Sequence, residues 1–192
     1  MKRITLFAAA AFCLLLSATD AGAQTSTWTI DKQHAEVNFV IRHGGVSNVH
    51  GAFGNITGTV VLDEKDITKS SVTAIIDTTT VDTGVAPRDT HVKTDAFLDV
   101  AKYPTMTFTS TSITKSGDKL KMTGDLTLHG VTKSVTLDLD GPSPPQKTRK
   151  GGLVSGFSAT GTLKRSDFGM TNMAMVVGDD VKFTIDVEID SQ

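Results

Sequence analysis

Residues 120–140 read LKMTGDLTLHGVTKSVTLDLD, and the fold class follows from how this stretch alternates. Leu120, Met122, Leu126 and Leu128 share one parity, with Gly124 between them. Lys119, Lys121, Thr123, Asp125 and Thr127 share the other. Beyond His129-Gly130 the alternation resumes, with Val131, Val135, Leu137 and Leu139 set against Thr132, Ser134, Thr136, Asp138 and Asp140. Successive side chains of a strand point to opposite faces, so a period of two spells a strand with one buried face. The His129-Gly130 step predicts a tight hairpin turn between two such strands.

The same period extends in both directions. The last strand sets Val181, Phe183, Ile185, Val187 and Ile189 against Lys182, Thr184, Asp186, Glu188 and Asp190. Shorter stripes run through Val37-Phe39-Ile41, Ile56-Val60-Leu62, Val72-Ala74-Ile76, Met106-Phe108 and Phe157-Ala159-Leu163, with a short Trp28–Ile30 strand at the start. The total is roughly eight or nine strands. One helical insertion interrupts them. Pro87 and Pro104 bracket a stretch where Val92, Ala96 and Val100 recur every four residues, and Thr94-Asp95 can split it in two. Asp89 suits its first turn, where a negative charge meets the positive end of the helix dipole. Pro142 to Gly152, rich in proline and glycine, predicts a mobile connection. Its Lys147, Arg149 and Lys150 offer a transient membrane-surface contact, although a solvated loop is the simpler reading.

A sheet with one apolar face must stack on a second sheet or close on itself. Strands of about ten residues favour closure, because long exposed edges invite pairing with other chains. The inward parity also holds small residues, Gly58, Ala74, Ser110, Gly124, Ala159 and Gly161. They predict interior space, and an eight-stranded barrel is just wide enough for one slender ligand. The alternative is that they mark bulges or close strand packing.

Residues 1–23 have the layout of a secretory signal peptide: Lys2 and Arg3, an apolar run to Leu16, then Ala21-Gly22-Ala23. One domain is expected over 24–192. The single cysteine, Cys13, falls inside the leader, so the exported chain has neither disulfide nor thiolate. The net charge of −2, without a basic stripe, argues against a nucleic-acid partner. Five histidines (His34, His43, His50, His91 and His129) sit in no metal-binding spacing, although His43 and His50 can approach across a hairpin. No serine elbow and no glycine-rich phosphate loop is spelled out, and no catalytic residue or metal ligand is assigned.

Several segments carry a family resemblance. They are Asp31–His43 with Ser47, Gly51 and Phe53; Val81–Gly84, Arg88–Lys93 and Phe97–Asp99 with Tyr103-Pro104; Gly124–Lys133; Gly161–Met170; and Val177–Val181. In order and across the whole mature chain they resemble the YceI-like family. That resemblance implies an all-β fold, an extended eight-stranded antiparallel lipocalin-like barrel whose apolar pore takes a polyisoprenoid, in a protein exported to the periplasm. Leu98 departs from it, because a second aromatic is expected after Phe97.

The function read from this is binding, and carriage or sequestration, of a long-chain isoprenoid of quinone or polyprenyl type, with no cofactor and no reaction. The expected pore lining is Phe39, Ile41, Phe53, Ile76, Phe97, Phe108, Met122, Leu126, Phe157, Leu163 and Met170. Met170, Met173 and Met175 form a soft wall for a ligand or an end plug. His43 and Arg165 continue inward parities, and Arg88 and His91 sit on the insertion. All four are candidates for contact with a polar head. The plainer alternative makes Arg88 and Asp89 helix-end groups and pairs Arg165 with Asp167 at the surface. Two rival functions stay open: histidine-based acid–base catalysis on an isoprenoid head, and a dry-core interaction module. The sequence sets no oligomeric state.

Overall fold

An apolar sheet face has to be covered, and in this chain the sheet covers its own. The computed structural model describes residues 24–149 and 151–192; the leader expected over 1–23 lies outside them. In chain order the strands are β1 (Thr25–His43), β2 (Ser47–Phe53), β3 (Ile56–Asp63), β4 (Ser71–Asp77), β5 (Thr105–Ser116), β6 (Lys119–Leu128), β7 (Val131–Asp140), β8 (Gln146–Lys147), β9 (Leu153–Lys164) and β10 (Val177–Ser191). Helix α1 spans Ala86–Val92. The order β10-β1-β3-β4-β5-β6-β7-β9 is closed by pairing of β9 with β10, giving an eight-stranded antiparallel barrel. β2 continues the line of β3 along the distal half of β1, and β8 is a short flap on β9.

β1 is one strand, not a short first strand followed by a second. Trp28 and Ile30 are buried on even numbers, Ala35 and Val37 on odd numbers. Between them Asp31 to His34 stand opposite Glu188 alone, because Ile30 pairs with Ile189 and Ala35 with Val187. This bulge flips the parity and so keeps both halves facing the core. At the β6–β7 turn His129 and Gly130 both have positive φ, 52° and 74°, as the expected tight hairpin requires.

One expectation needs correction. The insertion is helical only to Val92, and turns carry the chain on to Tyr103. In the connection after β7, Ser143 N donates to Gly156 O at 2.8 Å and Ser155 Oγ donates to Ser143 O at 2.6 Å. Gln146–Lys147 then pairs with Leu153–Val154. This loop lies at the barrel end away from α1. Trp28, Val60, Ile113 and Ile189, all buried, fill the interior toward that end.

Candidate functional site

Inside the barrel lies an apolar cavity of about 300 Å³, within the range of roughly 300–1,000 Å³ usual for ligand pockets. Its inner part is walled by Ile30, Val72, Val135 and Val187, and its lining continues to His43, Thr83, Arg88, His91 and Met173 at the α1 end. His43, His91 and Met173 are exposed, so the opening is there. All eleven apolar residues singled out from sequence line it: Phe39, Ile41, Phe53, Ile76, Phe97, Phe108, Met122, Leu126, Phe157, Leu163 and Met170. The four polar candidates, His43, Arg88, His91 and Arg165, line it as well. Sequence reasoning passed over Thr83, Val49 and the inward side of β10 (Val181, Phe183, Ile185, Val187), although the alternation of β10 already marked the latter; Leu98, the departure from the family pattern, lines it too.

The small inward residues act differently from expectation. A Cβ on Gly124 would stand 2.3 Å from the ring of Phe108, one on Gly161 2.5 Å from Phe183, and one on Gly51 2.3 Å from Phe39. Each glycine leaves a shallow seat against which a phenylalanine ring lies. Phe39 in turn meets Phe53 with centroids 5.4 Å apart. The rings thus line the wall and leave the axis open.

The polar candidates divide. Arg165 is buried, 4% exposed, and does not pair with Asp167 at the surface. Its Nε donates to Gly178 O at 2.9 Å, Nη1 to Met170 O at 2.5 Å and Nη2 to Val177 O at 3.0 Å. It therefore ties the start of β10 to the turn after β9. Arg88 donates from Nε and Nη2 to Thr83 Oγ1 and O, at 2.7 and 2.8 Å. Thr83 N and Oγ1 donate to Asp89 Oδ1, which holds that carboxyl below its usual range. His91 stacks edge-on to Phe97, centroids 5.2 Å apart. His50 pairs across from Val40 and not from His43, so the two histidines take opposite faces of the hairpin.

Residues 28–189 match the YceI-like domain. The chain belongs to the YceI-like family. The proteins named YceI from Salmonella arizonae and Salmonella enteritidis are each 43% identical over 176 residues, covering 88% of this chain and 90% of theirs. The crystal structure of the Campylobacter jejuni YceI protein superposes with a TM-score of 0.68 at 33% identity, covering 77% of this chain and 87% of its own. A polyisoprenoid-binding domain from Saccharophagus degradans, implicated in plant cell wall breakdown, superposes at 0.60 with 16% identity, covering 86% and 98%.

Elsewhere on this YceI-like chain, the β1 bulge brings Asp31, His34 and Glu188 together on the outside of the barrel. Among the described residues this is the one group of three or more potential ligand atoms within 4.8 Å of one another. His34 Nδ1 already bonds Asp31 Oδ2 at 2.7 Å. That bond raises the histidine above its ordinary pKa, with Glu188 adding to it, and lowers Asp31. The group is remote from the cavity opening.

Proposed function

We propose that this chain binds one long-chain isoprenoid lipid, of quinone or polyprenyl type, in the barrel and carries or sequesters it in the periplasm after export. The observation that carries the reading is an open cavity walled by aliphatic, methionine and phenylalanine side chains, with charged groups confined to its mouth. Each methylene moved from water into such a lining is worth roughly 0.8 kcal/mol. The tail thus supplies affinity, and only groups at the mouth can read a head. Of the four polar candidates, the exposed His43 and His91 suit that task best, since Arg165 is occupied by three carbonyls and Arg88 by Thr83. A protein of the same fold described as polyisoprenoid-binding supports the ligand class, which we extend to this chain as our own reading. The reading is of a binder and includes no chemical step.

The test is organic extraction of the purified protein followed by mass spectrometry, then exposure of the stripped protein to a long-tailed quinone. A stoichiometric isoprenoid, or saturable uptake of the added quinone, is expected. Empty preparations that also refuse the quinone would overturn the proposal.

A further inference from the structure

Four of the seven exposed large apolar side chains among the described residues sit together at the cavity mouth; of the others, Val85 lies on the insertion beside it, Ile75 on β4 and Leu153 at the far end. Val46 is 81% exposed, Met175 98%, Met173 47% and Val176 38%. They sit on two loop tips that the fold holds side by side. One is the β1–β2 turn, braced by Arg42, whose guanidinium donates to Gly45 O at 2.8 Å and Asn48 Oδ1 at 3.2 Å. The other is the turn leading into β10, in which Met173 has a φ of 55°. Gly44 N donates to Val176 O at 2.7 Å, joining the tips, and His43 pairs with Val177. Left-handed φ is uncommon for a residue such as methionine, so the turn is specified by its surroundings and not by Met173 itself.

Charge is distributed to match. From His43 to Leu62, and again from Phe168 to Gly178, the sequence contains no Asp, Glu, Lys or Arg. The opposite end of the barrel carries Glu64, Asp66, Lys69, Asp118, Lys119 and Lys147. Met173 also lines the cavity, so one exposed side chain of the second tip reaches the interior. The insertion that frames the other side of the mouth bears Asp89, Lys93 and Asp95 beside the exposed Val85.

We infer that these two tips dip into the surface of a lipid bilayer and set the cavity mouth against it. This rests on the proposed binding of a membrane-derived isoprenoid. Four side chains on protruding turns fall well short of the roughly 800 Å² per partner of a specific protein interface. They suit shallow insertion, which scales with apolar area and needs no partner groove. A lipid tail leaving the leaflet along this path exchanges hydrocarbon for Met173 and the cavity wall without crossing water. The basic loop at the far end points away from such a contact.

The experiment is flotation of the purified protein with neutral phosphatidylcholine vesicles, at low salt and at about 1 M salt, where the screening length is about 3 Å. Wild type is expected to float at both. A Val46→Asp, Met175→Asp variant is expected to partition about tenfold or more less, with quinone uptake and the circular dichroism spectrum unchanged. Val46→Ser, Met175→Ser serves the same comparison should the aspartates disturb folding. The inference is overturned if wild type stays with the protein-only fraction. It is equally overturned if flotation requires anionic lipid or low salt, if the variants float like wild type, or if sedimentation shows the tips joining two copies. Failure of wild type to take up quinone would instead sink the binding proposal and leave the flotation result to decide the docking face.

Discussion

The seats that Gly124, Gly161 and Gly51 provide for phenylalanine rings define what the wall tolerates. Gly124→Val places branched carbon where the Phe108 ring lies, 2.3 Å from the Cβ position. A loss of about 1–3 kcal/mol is expected in chemical denaturation, together with weaker lipid binding as Phe108 is pushed toward the axis. Binding unchanged in a destabilised variant would show that the ring has room to yield elsewhere. Arg165→Met leaves the carbonyls of Met170, Val177 and Gly178 without their donor, and a loss of about 3 kcal/mol is expected. A near-neutral result would mean that water replaces the guanidinium. At the bulge, protonated His34 is favoured by Asp31, so its contribution to stability is complete below the unfolded histidine value, about 6.5. It fades as pH rises through the raised folded value. Asp31 contributes above the unfolded carboxyl value, about 3.9, and that contribution fades as pH falls through its lowered folded value. Asp31→Asn is therefore expected to lower the His34 pKa in an NMR titration, and an unmoved pKa would discount the bond. Inward positions such as Phe39, Phe108 and Leu126 were legible because parity names a face directly. What a side chain meets there was not: neither the ring above Gly124 nor the Val177 and Gly178 carbonyls at Arg165 are local in sequence.

Among the strands, β1 shows where pattern reading stops. Trp28–Ile30 and Val37–Ile41 alternate in opposite parity, and only pairing with β10 shows that one strand absorbs the switch through Asp31–His34. The hairpin at His129-Gly130 was legible, since its turn chemistry is local. The helix was overread, because Val92 and Val100 both pack against the core although the chain between them runs in turns. One seam also has a measurable consequence. β7 and β9 pair only over Asp138–Asp140 and Ser158–Thr160. Toward the mouth they diverge, and the turn Arg165–Phe168, with Phe168 1% exposed, packs against both. Amides that face this gap along Thr132–Leu137 and Gly161–Lys164 are expected to exchange with deuterium faster than those that face β6 and β10. Uniform protection around the barrel would contradict that seam.

Taken whole, the molecule has two unlike ends. One is filled by Trp28, Val60 and Ile189 and ringed with charge. The other opens between two tips with exposed apolar side chains, one of them braced by the Arg42 guanidinium, and a charged insertion. The all-β class and the strand part of the lining were legible from the alternation, whereas the eight-stranded barrel itself came from the family resemblance. The end that opens was legible from the insertion bearing Arg88 and His91, whereas the two tips that flank it were not, since they depend on which loops the topology brings together. The central claim is that the hydrocarbon tail, held in that interior, supplies the affinity. Calorimetric titration of stripped protein with quinones of one head group and increasing isoprenoid length tests it most directly. Affinity is expected to climb about tenfold or more per added five-carbon unit until the cavity is full, then to level off. An affinity indifferent to tail length, or no heat of binding at any length, would contradict the account.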